Sequence, residues 1–231
     1  MNEFDFKERY TRNKQALSAE EVEILHTKKV CVIGAGGLGG YIVEILARIG
    51  VLHITVVDYD VFEASNLNRQ LFSSESVIGI PKVEVVVKRI ADVNSQVKIN
   101  GIKIKLNHSN CEEIIKGHDI VMDALDNIEA RLLLTDCCKE LGITLVHGSI
   151  GGWYGQVAGI FPGDKILSKV YQNTSEKGIE NLLGNLPFSA AMVASLQCAE
   201  CVKILIGRGE VLRNTMLRVD LLRGEFCRIS L

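Results

Sequence analysis

KKVCVIGAGGLG at residues 28–39 reads as a short buried strand that ends in a glycine loop and continues into a helix. Gly34, Gly36 and Gly39 have the spacing of the dinucleotide-binding fingerprint, in which glycines permit a tight turn and a close approach of the backbone to phosphate. The helix N-terminus that follows adds amide donors and positive potential. Apolar residues then recur every three or four positions as far as Gly50, where we expect the helix to end. The stretch therefore predicts a nucleotide-binding loop.

A second strand, predicted at Ile54–Val57, is followed directly by an acidic residue. This residue, Asp58, lies 19 positions beyond Gly39, where an acid accepts hydrogen bonds from ribose hydroxyls. Strand, helix and strand together form a βαβ unit of the nucleotide-binding kind. By itself the unit specifies an adenine nucleotide but no reaction.

The alternation of strands and helices continues to about residue 150. The predicted elements are a helix after Pro81 with an apolar stripe as far as Ile90, a strand at Val97–Leu106, a strand at Ile120–Met122, a helix at 128–141 and a strand at Ile143–Val146. The run Val85–Val87 is ambiguous, because its β-branched residues also suit a strand. The alternation predicts an α/β fold with a Rossmann-like, mostly parallel sheet and helices on both faces.

The pattern changes after residue 150, where we expect antiparallel strands to continue the sheet at its C-terminal end. The predicted elements are a glycine-rich turn at 151–155, a strand at 156–161, a crossover loop at 162–187, a long helix at Ser189–Ile206 stopped by Gly207, and short strands at Met216–Leu221 and Glu225–Ile229. A loop of that length is usually functional. No linker divides the chain, so residues 1–231 are interpreted as one domain with a charged N-terminal helical segment at 1–27.

Composition limits the classes of function. Apolar residues make up 47% of the chain and charged residues 23%, which is typical of a soluble globular protein. The formal net charge of -2 argues against nucleic acid as a partner. We expect no membrane span, because no run of about eighteen apolar residues occurs, and no secretory signal at the charged N-terminus. Seven cysteines without a pattern favour a reducing, cytoplasmic location over a disulfide framework.

Charged residues near the ends of the later strands suggest the reaction. The segment Ser65–Gln70 (SNLNRQ) concentrates hydrogen-bond donors, Lys82 begins a helix, where a cation is unfavourable unless an anion is near, and Asp126 follows a strand at the ligand-binding edge. Arg69, Lys82 and a Mg²⁺ held by Asp126 would stabilise the pyrophosphate that leaves when a carboxylate attacks the α-phosphorus of ATP. No P-loop sequence occurs, so cleavage at the γ-phosphate is not indicated.

Six motifs, in order along the chain, resemble those of the ThiF/MoeB/HesA group, the bacterial relatives of ubiquitin-activating enzymes. They are Arg9-Tyr10-x-Arg12, Gly34-x-Gly36-Gly37-Leu38-Gly39, Asp58-x-Asp60, Ser65-Asn66-Leu67-Asn68-Arg69-Gln70, Gly79-x-Pro81-Lys82 and Asp126-Asn127-x-x-x-Arg131. The resemblance covers residues 9–230. Any one motif would be weak, whereas six at the spacing of the group are specific.

The resemblance implies an adenylyltransferase that uses ATP and Mg²⁺. Its substrate would be a ubiquitin-like sulfur-carrier protein ending in Gly-Gly, whose C-terminal carboxylate becomes an acyl-adenylate with release of pyrophosphate. Asp58 would hold the ribose and Asp126 the metal, and Arg12 would reach the nucleotide of the other subunit in a homodimer. The residues implied for nucleotide binding and catalysis are Arg12, Gly34, Gly36, Gly37, Gly39, Asp58, Asp60, Ser65, Asn66, Leu67, Asn68, Arg69, Lys82, Asp126 and Asn127.

The cysteines depart from the pattern of the group, in which many members bind structural zinc through two Cys-x-x-Cys pairs and carry a further cysteine on the crossover loop. Residues 162–197 contain no cysteine, and the one such pair, Cys198 and Cys201, lies inside a predicted helix. A second pair to complete four ligands does not occur, so we predict no zinc. The missing loop cysteine predicts adenylation without a thioester or persulfide on that loop.

Two other functions remain open from the sequence. A nicotinamide-dependent dehydrogenase would explain the glycine loop and Asp58, but would leave Ser65–Gln70, Lys82 and Asp126 without a role. A catalytically weak docking protein that binds nucleotide and carrier would explain the missing loop cysteine. The sequence also leaves open whether the carrier serves thiamine, molybdopterin or another sulfur pathway.

Overall fold

Residues 8–171 and 183–230 are described in the computed structural model of the chain, and they form one eight-stranded sheet. The strands are β1 (Lys29–Ile33), β2 (His53–Val57), β3 (Lys98–Ile102), β4 (Ile120–Asp123), β5 (Thr144–Gly151), β6 (Tyr154–Ile160), β7 (Thr215–Asp220) and β8 (Glu225–Ser230). Their order across the sheet is β3-β2-β1-β4-β5-β6-β7-β8. Strands β1 to β5 pair in parallel, and β5 to β8 pair antiparallel. The predicted sheet, mostly parallel with antiparallel C-terminal strands, is confirmed.

Helices cover both faces of this sheet, as predicted. They include α1 (Ala19–Thr27), α2 (Gly37–Ile49), α3 (Lys82–Val93), α4 (Cys111–Ile115), α5 (Ile128–Glu140), α6 (Ile166–Val170) and α7 (Pro187–Ile206). Successive side chains of a strand point to opposite faces. Val30 and Val32 accordingly join the apolar cluster with α1, α2, α3 and α7, whereas Cys31 and Ile33 join the cluster with α4, α5 and α6. The continuous apolar run of β1 therefore reflects burial on both sides.

Two glycines of the loop are required by close contacts of the backbone. Gly34 adopts a φ of +101°, and a Cβ atom there would lie 2.5 Å from the carbonyl oxygen of Ala124. A Cβ atom on Gly39 would overlap the carbonyl oxygen of Gly34. Helix α2 ends, as predicted, at Gly50, whose φ of 109° is left-handed. These glycines let α2 begin directly against the carboxyl ends of β1 and β4.

Three segments differ from the sequence prediction. Strand β3 covers Lys98–Ile102 rather than Val97–Leu106, because the chain turns after Ile102, where the amide of Ile104 donates to the carbonyl of Ile102. Val85–Val87 lies inside α3, so the alternative that it forms a strand is wrong. Helix α4 has no counterpart in the prediction, because its five residues are too few to show a helical period.

The predicted crossover loop at 162–187 contains regular structure. Helix α6 lies within it and buries Ile166 and Leu167 in the apolar cluster shared with α5. Helix α7 begins at Pro187, two residues before the predicted start. Residues 172–182 of the predicted loop lie outside the described residues.

The N-terminal segment is attached to the body of the domain. A 3₁₀ helix at Glu8–Asn13 precedes α1. Arg9 Nη1 donates to the carbonyl of Val93 at 2.5 Å, and the hydroxyl of Tyr10 accepts from Asn94 Nδ2 at 3.0 Å. This segment is therefore held against the end of α3. Its part before Glu8 lies outside the described residues, and its role in a dimer stays a prediction.

Helix α7 bears on the expectation that no segment spans a membrane. By length and composition alone this helix is apolar enough to cross one. Yet 56% of its most apolar window is buried in the protein, where the helix packs against α2, β5 and β6. Gln197 on this helix donates to the carbonyls of Asp123 and Val146 at 2.8 and 3.2 Å. These contacts are typical of a core helix of a sheet protein.

Replacing Gly39 with Ala should destabilise the fold, because the added methyl group overlaps backbone and forces α2 away from β1. We expect the free energy of unfolding, measured by urea denaturation, to fall by about 2–3 kcal/mol. Gly37→Ala is the matched control on the same helix, since a Cβ atom at Gly37 would meet its nearest neighbours at an ordinary 3.8 Å. Equal stability of the two variants would contradict the proposed overlap.

Candidate nucleotide site

A cavity of about 860 Å³ opens at the carboxyl ends of β1, β2 and β4. The strand order reverses here, since β1 lies between β2 and β4. Open α/β sheets bind their ligands at such a point. The predicted residues that line the cavity are Gly34, Gly36, Gly37, Asp58, Asp60, Arg69, Lys82, Asp126 and Asn127. The fold therefore brings most of the predicted site residues to one place.

Asp58 joins the glycine loop to the segment after β2 through one carboxylate. Its Oδ2 accepts from the amide of Ala35 at 2.7 Å, and its Oδ1 accepts from the amide of Asp60 at 2.8 Å. The side chain is buried in the protein and also lines the cavity. Each carboxylate oxygen has a second lone pair. The arrangement therefore orders the loop and retains acceptor capacity for ribose hydroxyls.

The N-terminus of α2 forms another wall. Gly36 is the N-cap, and within the described part of the chain no side chain caps the first turn. The amides of an uncapped helix start, together with the helix dipole, bind anions. The stem of Arg69 lies beside this turn, 3.8 Å from the position of a Cβ atom on Gly37. Arg69 Nη1 donates to the carbonyl of Ser65 at 3.0 Å and to Asn68 Oδ1 at 2.8 Å, which hold the arginine at the cavity.

Lys82 begins α3, where the helix dipole disfavours a cation, and the structure supplies its anionic partner. Lys82 Nζ lies 3.1 Å from Asp60 Oδ2, and the Lys82 amide donates to the Asp60 carbonyl at 3.0 Å. The lysine side chain is only 7% exposed, whereas that of Asp60 is 45% exposed. An ammonium group held out of water interacts more strongly with a bound phosphate than a solvated one. Lys82 is therefore placed to bind an anionic ligand.

Asp126 lies on the turn between β4 and α5 and is exposed at the cavity. Within the described residues, its Oδ1 accepts only a long hydrogen bond, from Asn127 Nδ2 at 3.4 Å. Asn127 in turn caps α5, because its Oδ1 accepts from the amide of Ala130 at 2.8 Å. Across residues 8–171 and 183–230, no three His, Cys, Asp or Glu side chains cluster as a metal site. A cation at Asp126 would therefore take most of its ligands from the nucleotide and water, as Mg²⁺ commonly does.

Six predicted residues do not line the cavity, namely Arg12, Gly39, Ser65, Asn66, Leu67 and Asn68. Asn66 is buried, and its Oδ1 accepts from the amide of Glu63 at 3.0 Å, so its amide caps a short 3₁₀ helix. Asn68 Nδ2 donates to the carbonyl of Asn185 at 3.0 Å. Arg12 is exposed on the N-terminal 3₁₀ helix. Direct nucleotide contacts of these six residues stay predictions.

The cavity also contains residues that the sequence left without a role. They include Tyr59, Gln70, Lys105, Asn107, His108, Arg131 and Asn185. Lys105 Nζ lies 5.5 Å from the centroid of the Tyr59 ring. The carboxylate of Asp60 and partial burial raise the pKa of Tyr59. Residues 104–108 follow the end of a parallel strand, a position that is itself a signal for a ligand site. The signal was missed because the strand was predicted to continue to Leu106.

A buried pair, Asp123 and His147, lies behind the turn that carries Asp126. The two side chains are fully buried, with His147 Nδ1 2.6 Å from Asp123 Oδ2. Burial disfavours the charged carboxylate, but the guanidinium of Arg131 and the hydrogen bond from His147 outweigh it and hold the pKa of Asp123 below its usual value. Burial lowers the pKa of His147, and the nearby Asp123 offsets this only in part. His147 is therefore a neutral partner of an ionised carboxylate.

The Cys198 and Cys201 pair packs in the apolar core. Both residues are buried on α7, and Cys198 Sγ donates to the carbonyl of Ile42 at 3.8 Å. Burial raises the pKa of both thiols, which disfavours the thiolate that binds metal. The two cysteines are therefore small residues of the apolar core.

A sequence profile described as the ThiF family matches residues 10–231. The chain belongs to the ThiF family. It is 35% identical to a SAMP-activating enzyme E1 of Haloferax volcanii, over 87% of this chain and 76% of that protein. It is 34% identical to a sulfur carrier protein adenylyltransferase of Thermus thermophilus, over 91% of this chain and 81% of that protein. A probable molybdopterin-synthase adenylyltransferase of Pyropia yezoensis is 33% identical, over 97% of this chain and 62% of that protein.

Solved structures share the fold of this ThiF family chain. A crystal structure of E. coli MccB with ATP superposes with a TM-score of 0.80, covering 96% of this chain and 71% of that one at 20% identity. Selenomethionine PaaA gives a TM-score of 0.80, covering 100% of this chain and 85% of that one at 17% identity. At such identities the likeness shows the fold alone.

The buried His147 should make the fold sensitive to acid. Because its pKa is lowered in the folded state, the unfolded chain binds a proton first as the pH falls below about 6.5. Stability should then fall, by up to about 1.4 kcal/mol per pH unit, as the pH decreases below about 6.5. His147→Gln, which cannot titrate, should flatten this part of a urea-denaturation profile. Equal acid slopes in wild type and His147→Gln would contradict this origin.

Proposed function

We propose that this chain is an ATP-dependent adenylyltransferase that activates the C-terminal Gly-Gly carboxylate of a ubiquitin-like sulfur-carrier protein. The product is an acyl-adenylate, and pyrophosphate is released. The observation that carries the proposal is the meeting of Arg69, Lys82 and Asp126 around one cavity, beside the uncapped start of α2. A relative named as a sulfur carrier protein adenylyltransferase, which the match covers over 81% of its length, supports it.

The reaction needs little more than placement and charge. Asp58 and the glycine loop hold the ribose and phosphates, so that the α-phosphorus is presented to the incoming carboxylate. Attack transfers the adenylyl group to the carboxylate oxygen and breaks the bond to the β-phosphate. Negative charge then develops on the departing pyrophosphate, where Arg69 and Lys82 stabilise it. No protein nucleophile takes part.

Mg²⁺ fits the residues present. Asp126 offers an exposed carboxylate with unused acceptor capacity at the cavity, and hard oxygen ligands of this kind suit the ion. When bound, the ion would neutralise phosphate charge. Asp126 would hold it, while Asn127 fixes the start of α5 and with it the position of the turn.

The cavity favours adenylation over hydride transfer. A dehydrogenase with this loop needs the acid at Asp58, but it has no use for the cations Arg69 and Lys82 or the exposed carboxylate Asp126 at the same cavity. A pure docking protein would not need them either. We therefore regard both alternatives as less well supported, and tight NAD binding without ATP binding would revive the first.

Exchange of labelled pyrophosphate into ATP should depend on a carrier that ends in Gly-Gly. We expect exchange with purified ThiS-type or MoaD-type carriers and Mg²⁺, because adenylation is reversible while the acyl-adenylate stays bound. The same carriers without their last two glycines are the control and should give background rates. Absence of exchange with every such carrier, in a protein that binds ATP, would contradict the proposed function.

Lys82→Ala should lower the exchange rate by about 10²–10³-fold, because it removes a buried cation from the developing pyrophosphate charge. Lys88→Ala is the matched control, since Lys88 is an exposed lysine on the same helix. Its rate should stay within about twofold of wild type. Circular dichroism checks that both variants fold. Similar pyrophosphate exchange rates for Lys82→Ala and Lys88→Ala would show that Lys82 has no role in the reaction.

Mixing two inactive variants tests the predicted role of Arg12 across a homodimer. Arg12→Ala and Lys82→Ala should each be inactive, but a mixed dimer would contain one intact site, composed of Lys82 from one subunit and Arg12 from the other. After subunit exchange of equal amounts, we expect about a quarter of wild-type activity. If a mixture that is shown to contain mixed dimers stays inactive, Arg12 does not act at the nucleotide site of the other subunit.

A further inference from the structure

Arg131 connects the turn that carries Asp126 to Tyr171, at the C-terminal end of α6. One of its terminal nitrogens, Nη2, donates to the carbonyl of Leu125, on that turn. The other, Nη1, donates to the hydroxyl of Tyr171 at 2.9 Å. Arg131 is only 4% exposed, and its Nε lies 3.9 Å from the buried carboxylate of Asp123. A planar guanidinium holds such partners in a fixed geometry.

The hydroxyl of Tyr171 contacts three polar side chains of the described residues. It accepts from Arg131 Nη1 at 2.9 Å and from Gln156 Nε2 at 3.2 Å. His147 Nε2 lies 3.5 Å from the same oxygen, within reach of its proton. The ring of Tyr171 meets that of His147 edge-on, with centroids 6.2 Å apart.

The buried pair supplies the matching acceptor. An ionised Asp123 can only accept, so the proton of His147 lies on Nδ1, which is 2.6 Å from the carboxylate. His147 Nε2 is thus an acceptor and faces Tyr171 and Gln156. The carboxylate, the imidazole and the tyrosine hydroxyl form one chain, and each member fixes the orientation of the next. A buried network of this kind is rigid when it is satisfied.

We propose that Tyr171 is a positioning residue for adenylation, and that its hydroxyl, oriented by His147 and Gln156, holds Arg131 and thereby fixes the turn that presents Asp126. This inference rests on the proposed function for its effect on rate. Because Tyr171 also caps α6 through its amide, which donates to the carbonyl of Leu167 at 2.9 Å, it joins the crossover segment to the nucleotide cavity. The residue touches neither the cavity nor the reacting atoms and acts through Arg131.

Amide hydrogen exchange of the protein without nucleotide gives a test that does not depend on activity. The Leu125 amide donates to Asp123 Oδ1 at 3.0 Å and reports how firmly the turn is held. Tyr171→Phe keeps the ring and removes the hydroxyl, and should speed exchange at Leu125 about tenfold. Tyr41→Phe is the matched control, at a partly buried tyrosine of α2 outside the cavity, and should leave that rate unchanged.

Kinetics then show whether the effect reaches the reaction. In Tyr171→Phe we expect kcat for pyrophosphate exchange to fall about tenfold, with the Kd for ATP within about threefold, because the contacts of Asp58 and the glycine loop are untouched. A double-mutant cycle tests the route. Tyr171→Phe should cost little more in an Arg131→Lys background, since the tyrosine acts through that arginine. If the decreases in kcat caused by Tyr171→Phe and Arg131→Lys multiply in the double variant, the proposal is contradicted.

The outcomes separate this inference from the proposed function. If the wild-type protein shows no carrier-dependent pyrophosphate exchange, the proposed function is contradicted. The positioning role of Tyr171 is not, because hydrogen exchange of the Leu125 amide measures it without any reaction. Unchanged Leu125 exchange in Tyr171→Phe overturns the positioning even if the enzyme is active. Tyr171→Phe could unfold at a much lower temperature than Tyr41→Phe. In that case Gln156→Met, which removes one donor to the Tyr171 hydroxyl and keeps the tyrosine, must still speed exchange of the Leu125 amide. An unchanged rate there overturns the proposal as well.

Discussion

The double use of the Asp58 carboxylate is the constraint on which the rest of the site depends. One oxygen fixes the glycine loop through the Ala35 amide and the other fixes the segment after β2 through the Asp60 amide. Asp60 then holds the buried ammonium of Lys82. The glycine loop, Asp58 and the ammonium group of Lys82 are thus connected through two carboxylates at the point where the strand order reverses. Loss of this connection would separate the glycine loop from Lys82.

The charges around the cavity explain why a general nucleotide fold would perform adenylation. A Rossmann-like loop binds phosphate in many enzymes, so the fold alone does not choose a reaction. Arg69 and Lys82 supply positive charge, while Asp126 supplies a single exposed carboxylate on the opposite turn. Such a set suits stabilisation of a departing pyrophosphate. The ThiF family match and relatives named as adenylyltransferases agree with this chemistry.

Sequence reasoning predicted the elements whose signals are local. The strand that leads to Gly34 and the helix that ends at Gly50 follow from periodicity and backbone sterics. The end of β3 was missed, and residues 104–108 with it, because an apolar alternation continues past the turn at Ile102. The network of His147, Arg131 and Tyr171 has no local signal either, since its members are brought together only by the packing of β5, α5 and α6.

The position of label transferred from ATP tests the central claim most directly. The chain, Mg²⁺ and a Gly-Gly carrier would be incubated with ATP labelled with ³²P at the α- or at the γ-phosphate, and the carrier would be isolated under mildly acidic conditions. Attack at the α-phosphorus predicts label on the carrier from α-labelled ATP and none from γ-labelled ATP. Label from the γ-position, or no label from either in the presence of bound ATP, would contradict adenylation at this cavity.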